Sequence, residues 1–311
     1  MQLVQVENLE VRADGGMKER ILLKDISFDI ATGERIAIVG ESGAGKTTLL
    51  RAMTNLFPSG TGMKTSGRIF IGGKNLLDAT KLLPRQARQT SGIRYIFQEP
   101  AHAFNPVLRI RSQIRYLLAE DHYNEDAFLH LLAEVGIEHP LRTIRQYPHQ
   151  VSVGMLQRII IALALSGSPA LLLADEPLSA IDAIHRNRIM SILLEQCASR
   201  DIALLFATHD LRIARDHSQV TLVLYGGRLV EKSLSEELFS NPLHPYSKAL
   251  LSRASDHSSP ADRTVQTDRC TIGTGCTYYS RCPISSPSCK DEEPGAVILN
   301  ATHEVRCPYS K

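Results

Sequence analysis

Apolar and polar positions alternate in two stretches near the start of the chain: Val4 and Val6 with Leu9 and Val11, then Ile26, Phe28 and Ile30, before a turn at Gly33. A period of two places such side chains on one face of a half-buried strand, so the pattern predicts antiparallel strands. The following run, residues 35 to 39, is almost continuously apolar, as expected of a strand buried on both faces. Two further strands are predicted at Arg68 to Ile71, closed by Gly72-Gly73, and at Ile93 to Phe97, with Gln98 at its end. From about 107 to 165 the period turns helical, and Asn124 is placed to cap a run carrying Phe128, Leu131, Leu132 and Val135 on one face until Gly136 ends it. Strands resume at Ala170 to Ala174, Ala203 to Ala207 and Val220 to Leu224, separated by helices near 183 to 198 and 209 to 215. This alternation predicts an α/β core with a mainly parallel sheet, interrupted by a helical insert over about 103 to 165. Past residue 235 the chain becomes rich in Ser, Pro, Asp and Cys. The expected division is therefore a domain over 1–235 and a small Cys-rich extension over 236–311.

Composition narrows the class. The 311 residues are 43% hydrophobic, ordinary for a globular chain and enough for about two domains. The 35 basic and 33 acidic residues are interspersed and leave a net charge of +2, which gives no support to nucleic acid as a main partner. Met1-Gln2-Leu3-Val4 does not open a charged segment followed by an apolar one, and the longest apolar runs, such as Ile159 to Leu165, fall far short of the about 20 residues that cross a bilayer. A cytosolic chain is expected, with any membrane work done through a partner. Five of the six cysteines lie between 270 and 307, which in a reducing compartment favours metal or cluster ligation over disulfides.

The chemistry starts at Gly40-Glu-Ser-Gly-Ala-Gly-Lys-Thr-Thr48, which matches Gly-x4-Gly-Lys-Ser/Thr and lies between an apolar strand and helix-forming residues. Gly40, Gly43 and Gly45 let the backbone form a nest whose N–H groups face phosphate oxygens, reinforced by a helix N-terminus. Lys46 is expected to reach the β- and γ-phosphates and the Thr47 hydroxyl to ligate Mg²⁺. A second apolar strand, Leu171 to Ala174, ends in Asp175 and Glu176. Asp175 suits Mg²⁺, and Glu176 is placed to polarise the water that attacks the γ-phosphate. His209 follows the strand at 203–207 and is a candidate γ-phosphate contact, although such a histidine taken alone is more often structural.

Taken in order, Gln98, the segment Gln150-Val151-Ser152-Val153-Gly154-Met155-Leu156-Gln157-Arg158, Asp175-Glu176, Ser179-Ala180-Ile181-Asp182 and His209 resemble the Q-loop, signature, Walker B, D-loop and H-loop of ABC-type ATPases. The resemblance covers residues 1 to about 235. Gln98-Glu99-Pro100, Asn105-Pro106, Tyr147-Pro148-His149-Gln150 and the run Asn241 to Leu251 look further like the ATP-binding subunits of oligopeptide, dipeptide and nickel importers. Such a resemblance implies a RecA-like core with an antiparallel β subdomain and a helical subdomain, and ATP with Mg²⁺ as ligands. Ser42 and Thr48 join Gly40, Gly43, Gly45 and Lys46 in holding the nucleotide, and Gln98 senses Mg²⁺ and the attacking water. It also implies two ATP molecules sandwiched between two subunits, with Ser152 and Gly154 of one chain closing on the ATP of the other and Asp182 coupling the sites. The helix opening at the signature agrees physically, since its N-terminal N–H groups suit an anion. Two membrane permeases, an extracytoplasmic substrate-binding protein and a peripheral place on the cytoplasmic face of the plasma membrane complete the implied assembly. The cargo would be peptides, nickel or metallophore complexes.

Two positions depart from that family's pattern. The signature usually reads Leu-Ser-Gly-Gly, whereas here Val153 replaces the first glycine; a β-branched residue narrows backbone freedom and adds bulk beside phosphate. Because the signature acts on the partner's ATP, a heterodimer with unequal sites is expected. At the adenine end, Ala13 stands where an aromatic ring usually stacks, leaving Arg12 as the alternative stacking group. A mainly regulatory nucleotide-binding subunit is the alternative function. A soluble ATPase of nucleic-acid repair or translation is disfavoured by the single cassette and by the Asn241 to Leu251 segment.

Cysteines 270, 276, 282, 289 and 307 are separated by five, five, six and 17 residues with no Cys-x2-Cys pair, which disfavours a zinc ribbon. Cys276, Cys282, Cys289 and Cys307 resemble the four-cysteine tail of the peptide-importer subunits, which in some members carries a [4Fe–4S] cluster, leaving Cys270 as an extra. A loop of reduced, unligated thiols is the alternative. Cys197 is expected to be a small buried hydrophobe.

Overall fold

A computed structural model describes all residues except 15–18, 55–56, 58–59, 78–91, 119–123, 168, 256–273, 301 and 310–311. Cys270 lies outside the described residues. In chain order the elements are β1 (Gln2–Asp14), β2 (Glu19–Ala31), β3 (Arg35–Val39), α1 (Lys46–Ala52), β4 (Met63–Ile71), β5 (Lys74–Asn75), β6 (Ile93–Ile96), α2 (Ile110–Leu117), α3 (Glu125–Glu134), α4 (Pro140–Ile144), α5 (Val153–Ser166) and β7 (Leu171–Asp175). They continue as α6 (Ala183–Ser199), β8 (Ala203–Ala207), α7 (Leu211–His217), β9 (Val220–Tyr225), β10 (Arg228–Leu234), α8 (Ser235–Ser240), α9 (Pro245–Ser255), α10 (Ser288–Asp291), β11 (Val297–Asn300) and β12 (His303–Val305).

Two compact units result, one from residues 1–91 and 207–311, the other from residues 92–206. In the first, the alternating segments pair as an antiparallel sheet ordered β2-β1-β4-β5. Val4, Leu9, Val11, Leu23, Ile26 and Ile30 are completely buried on it, as a one-faced strand pattern requires. The same unit carries strands in the order β11-β12-β10-β9-β3, with β3 parallel to β9 and the remaining pairs antiparallel. The expected mainly parallel sheet is therefore corrected at this edge. β10 escapes a hydropathy reading because Arg228, Glu231 and Ser233 are polar yet buried. The C-terminal segment supplies the partners that make this tolerable: Glu231 accepts the N–H groups of Leu243 (2.8 Å) and His244 (2.9 Å) and meets His303 Nε2 at 2.8 Å.

In the second unit strands lie in the order β8-β7-β6, with β6 parallel to β7. Every residue of β7 is buried, and Cys197 is 1% exposed among hydrophobic neighbours on α6, as expected. The helical insert is broken where the sequence breaks it. Asn124 caps α3 by accepting the Ala127 N–H at 3.1 Å, Gly136 takes φ 84 just after α3, and Pro140 and Pro148 each start a new helical turn. Among the described residues no helix is long and apolar enough to cross a membrane.

Candidate nucleotide site

In the first unit β3 delivers the chain into the loop 40–45, and α1 leaves it at Lys46. Gly40, Gly43 and Gly45 have φ of 154, 79 and 107°. A Cβ at Gly40 would stand 2.2 Å from the Leu224 carbonyl oxygen of β9, so this close approach of backbone to backbone admits only glycine. Gly45 is the N-cap of α1: its left-handed backbone turns the loop into the helix, its carbonyl accepts the Leu49 N–H at 2.8 Å, and a Cβ there would stand 2.7 Å from Leu23 Cδ2. Lys46 is buried, and its ammonium donates to the carbonyls of Gly40 (2.7 Å) and Glu41 (3.1 Å). Ser42 is exposed, while Thr47 and Thr48 on the first turn of α1 are partly exposed. Beside β3, the Thr208 N–H donates to Ile38 O at 3.1 Å, and the exposed His209 follows. The unit thus brings together the glycine loop, Lys46, Thr47 and His209.

In the same unit, Ala13 sits in β1 opposite Arg20 and Met63. Arg12 pairs with Glu10 and with Glu19 at 2.9 Å. Those bonds, Glu19's first, raise its pKa further, so the cation expected to stack is already engaged along its edge by two carboxylates.

The second unit groups the acidic cluster. Asp175, at the end of β7, is buried and accepts from the Tyr95 hydroxyl at 3.3 Å. Glu176 follows with φ 46, a left-handed backbone unusual for glutamate, and accepts from the Gln98 amide at 3.4 Å. Gln98, Asp175 and Glu176 are thus neighbours, offering one amide and two carboxylates, hard oxygen donors of the kind Mg²⁺ takes. Tyr95 was not among the residues singled out from sequence. Its only local signal is a polar atom in a strand, in register with Leu173 of β7.

The signature segment lies in the same unit. Ser152 caps α5, its Oγ accepting the Met155 N–H at 3.2 Å. Val153 is the first helical residue and is 53% exposed. Its backbone is helical, which a valine adopts at small cost, so of the two concerns raised by Val153 the side-chain bulk is the one that stands. Gly154 packs closely, since a Cβ there would lie 3.3 Å from Ala180 O. Asp182 caps α6 through the His185 N–H (3.2 Å) and meets His185 Nδ1 at 2.8 Å; this side-chain contact lowers its pKa. Arg158 lies 3.9 Å from Asp182 and donates to Gly136 O at 2.9 Å, tying the signature helix to its neighbours.

The C-terminal extension reaches the glycine loop, which sequence reasoning missed. Tyr246 of α9, 1% exposed, accepts the Glu41 N–H at 2.8 Å, and Arg281 makes two bonds to the Glu41 carboxylate. Partners separated by 205 and 240 residues leave no local sequence signal. Cys276, Cys282, Cys289 and Cys307 line one cavity of about 10 Å³ together with Tyr278 and His244. Burial raises the Cys276 thiol and pushes His244 down to about 4; the Tyr246 N–H donates to His244 Nδ1, so this ring is neutral. The four thiols are donors of the right kind and number for an iron–sulfur cluster, but the space between them is that of a single water. Among the described residues no three His, Cys, Asp or Glu side chains form a group able to hold a metal ion.

Comparison with known proteins accords with this geometry. Residues 23–179 match the family described as ABC transporter, and residues 230–289 match the oligopeptide/dipeptide transporter C-terminal region. The oligopeptide transport ATP-binding protein OppD of Lactococcus lactis subsp. cremoris is 38% identical over 254 residues, covering 78% of this chain and 72% of that protein. The dipeptide transport ATP-binding protein DppD of Bacillus subtilis is 34% identical over 98% of this chain and 94% of its own length. Among solved structures, the dimeric ATP-binding cassette MJ0796 bound to ADP and Pi superposes with a TM-score of 0.64 at 23% identity, covering 75% of this chain and 99% of that one.

Proposed function

Because the chain belongs to the ATP-binding subunits of ABC transporters, in the oligopeptide/dipeptide branch, we propose that it powers an importer of short peptides as one half of an ATPase pair with unequal sites. The activity is ATP hydrolysis coupled to transport. The reading rests on one observation above all: an ABC match and a peptide-transporter C-terminal match occur in a single chain. The names of the relatives favour peptides over nickel or metallophores as cargo.

In this scheme Lys46 and the N–H groups of the loop from Gly40 to Gly45 hold the phosphates, with Ser42 and Thr48 beside them. Thr47, Asp175 and Gln98 would hold Mg²⁺, which would supply charge neutralisation to the phosphates when bound. Glu176 accepts the proton of the attacking water, Gln98 orients it, and His209 contacts the γ-phosphate. Ser152 and Gly154 serve the partner's ATP, and Asp182 reaches toward the partner. The helical insert offers exposed Val107 (76%) and Leu108 to a membrane permease that receives cargo from an extracytoplasmic binding protein. In the same scheme the chain works at the cytoplasmic face of the membrane.

The inequality rests on Val153, whose exposed side chain adds bulk to the face that would close on the partner's nucleotide. Glu176→Gln in this chain alone should lower ATPase turnover of the assembled transporter by about 100-fold or more, the size of a general-base contribution. Val153→Gly should raise turnover. A rate unchanged by Val153→Gly removes the inequality, and a loss of half or less from Glu176→Gln favours a mainly regulatory subunit. Iron and acid-labile sulfide in anaerobically purified protein test whether the four cysteines take up a cluster.

A further inference from the structure

Glu41, the second residue of the glycine loop, is held from three directions by residues of the C-terminal extension. Arg281 Nη1 donates to Oε2 at 2.9 Å and Nη2 to Oε1 at 3.0 Å, while Arg253 Nη1 adds a bond to Oε1 at 3.1 Å. The Glu41 N–H donates to the Tyr246 hydroxyl at 2.8 Å. The Arg281 guanidinium is itself fixed, lying over the rings of Tyr225 (5.7 Å) and Tyr278 (5.8 Å) and donating to the Tyr225 hydroxyl at 3.3 Å. Tyr225, Tyr246 and Tyr278 pack against one another with centroids 4.4 to 5.4 Å apart, so the anchor is a rigid aromatic cluster.

A carboxylate in a loop that receives a triphosphate repels the ligand unless its charge is neutralised. The two-point guanidinium contact neutralises it and fixes its direction. The Glu41 carbonyl is also one of the two oxygens that seat the Lys46 ammonium, so a displaced Glu41 displaces the lysine's seat. We propose that Arg281 is a positioning residue for ATP: acting through Glu41, it neutralises and orients the glycine loop, making the C-terminal extension part of the phosphate site. Arg281 directly precedes Cys282, and Tyr278 walls both the aromatic cluster and the cysteine cavity. The extension therefore joins the thiol group to the nucleotide loop through covalently adjacent residues.

The proposal rests on the reading of residues 40–48 as the ATP phosphate loop, and Lys46→Ala tests that reading separately. ATP binding to the full chain, measured by titration calorimetry in the presence of Mg²⁺, should weaken about tenfold in Arg281→Ala, the factor equivalent to 1.4 kcal/mol. Arg281→Lys keeps the charge but loses the two-point contact, and should weaken binding about threefold. Adding Glu41→Gln to Arg281→Ala removes the uncompensated carboxylate and should return the affinity to within about threefold of the parent; a merely structural role for Arg281 would show no such rescue. An Arg281→Ala affinity within twofold of the parent, while Lys46→Ala abolishes binding, overturns the proposal, as does a double variant no better than Arg281→Ala. Should Arg281→Ala fail to fold, an unchanged affinity in Arg281→Lys overturns it equally. ATP binding that survives Lys46→Ala removes the phosphate-loop reading and this proposal with it.

Discussion

Replacing His303 with alanine should detach the C-terminal segment from the sheet. His303 is 2% exposed and bridges two carboxylates: Nε2 stands 2.8 Å from Glu231 Oε1, and Nδ1 stands 3.1 Å from Glu237 Oε1. Glu231 is itself buried on β10, so losing the ring strands a charge in the interior, which in general costs 3–5 kcal/mol. Because Glu231 keeps the N–H groups of Leu243 and His244, the low end of that range applies, about 3 kcal/mol. Urea unfolding of the parent and of His303→Ala measures the loss, and hydrogen exchange at residues 228–234 and 303–305 locates it. His303→Gln, whose side-chain amide can still donate to Glu231, should be more stable than His303→Ala. A loss below about 1 kcal/mol, or a His303→Gln variant no better than His303→Ala, refutes the reasoning.

The pH dependence carries a sign that follows from the same contact. Glu237 has its pKa lowered, chiefly by His303. A carboxyl whose folded pKa is depressed contributes stability above its unfolded value, near 4.5, and loses it as the pH falls through the folded value. Acidification below about pH 4.5 should therefore narrow the stability gap between the parent and His303→Ala.

Two further outcomes test the nucleotide and coupling elements. Gly40→Ala should abolish ATP binding, because its Cβ would stand 2.2 Å from Leu224 O; Gly43→Ala meets open space and bears only left-handed strain of about 1 kcal/mol, so its affinity should fall less than about tenfold. Calorimetric titration orders the two, and the reverse order contradicts the geometry. Gln113 holds the turn that exposes Val107 and Leu108, donating to Asn105 O (3.0 Å) and Leu108 O (2.9 Å) and accepting the Asn105 N–H (2.8 Å). Gln113→Leu should leave ATP binding intact while lowering peptide-stimulated ATPase and uptake in proteoliposomes by severalfold; full uptake would show that this turn is not where motion is transmitted.

The elements most legible in the sequence are those whose signal is local. The glycine loop announces itself by spacing, β7 by an unbroken apolar run into Asp175, and α3 by the Asn124 cap and Gly136 stop. What escaped is what depends on distant partners. β10 hides as a polar segment because Glu231 finds its side-chain partner in His303, 72 residues away. β11 and β12 escape similarly in the stretch read only as a small Cys-rich extension. The insert reads as one helical region, and only its prolines and Gly136 indicate the four separate helices seen among its described residues. At the site, the residue types and their order were readable, but Tyr95 against Asp175 and the extension's hold on Glu41 exist only once the chain is folded. The same holds for Gly45, whose place in the motif was readable while the Leu23 side chain that closes on it was not.

Glu176 bears a consequence for how such a protein can change over generations. Its φ of 46 is a conformation that glycine adopts without penalty and asparagine tolerates, while a glutamate there costs about 1 kcal/mol. The carboxylate proposed to accept the water's proton is thus kept against the preference of its own backbone. Selection for thermal endurance alone would reward Gly at 176 and silence hydrolysis in the same step, so endurance and work pull against each other at this single residue.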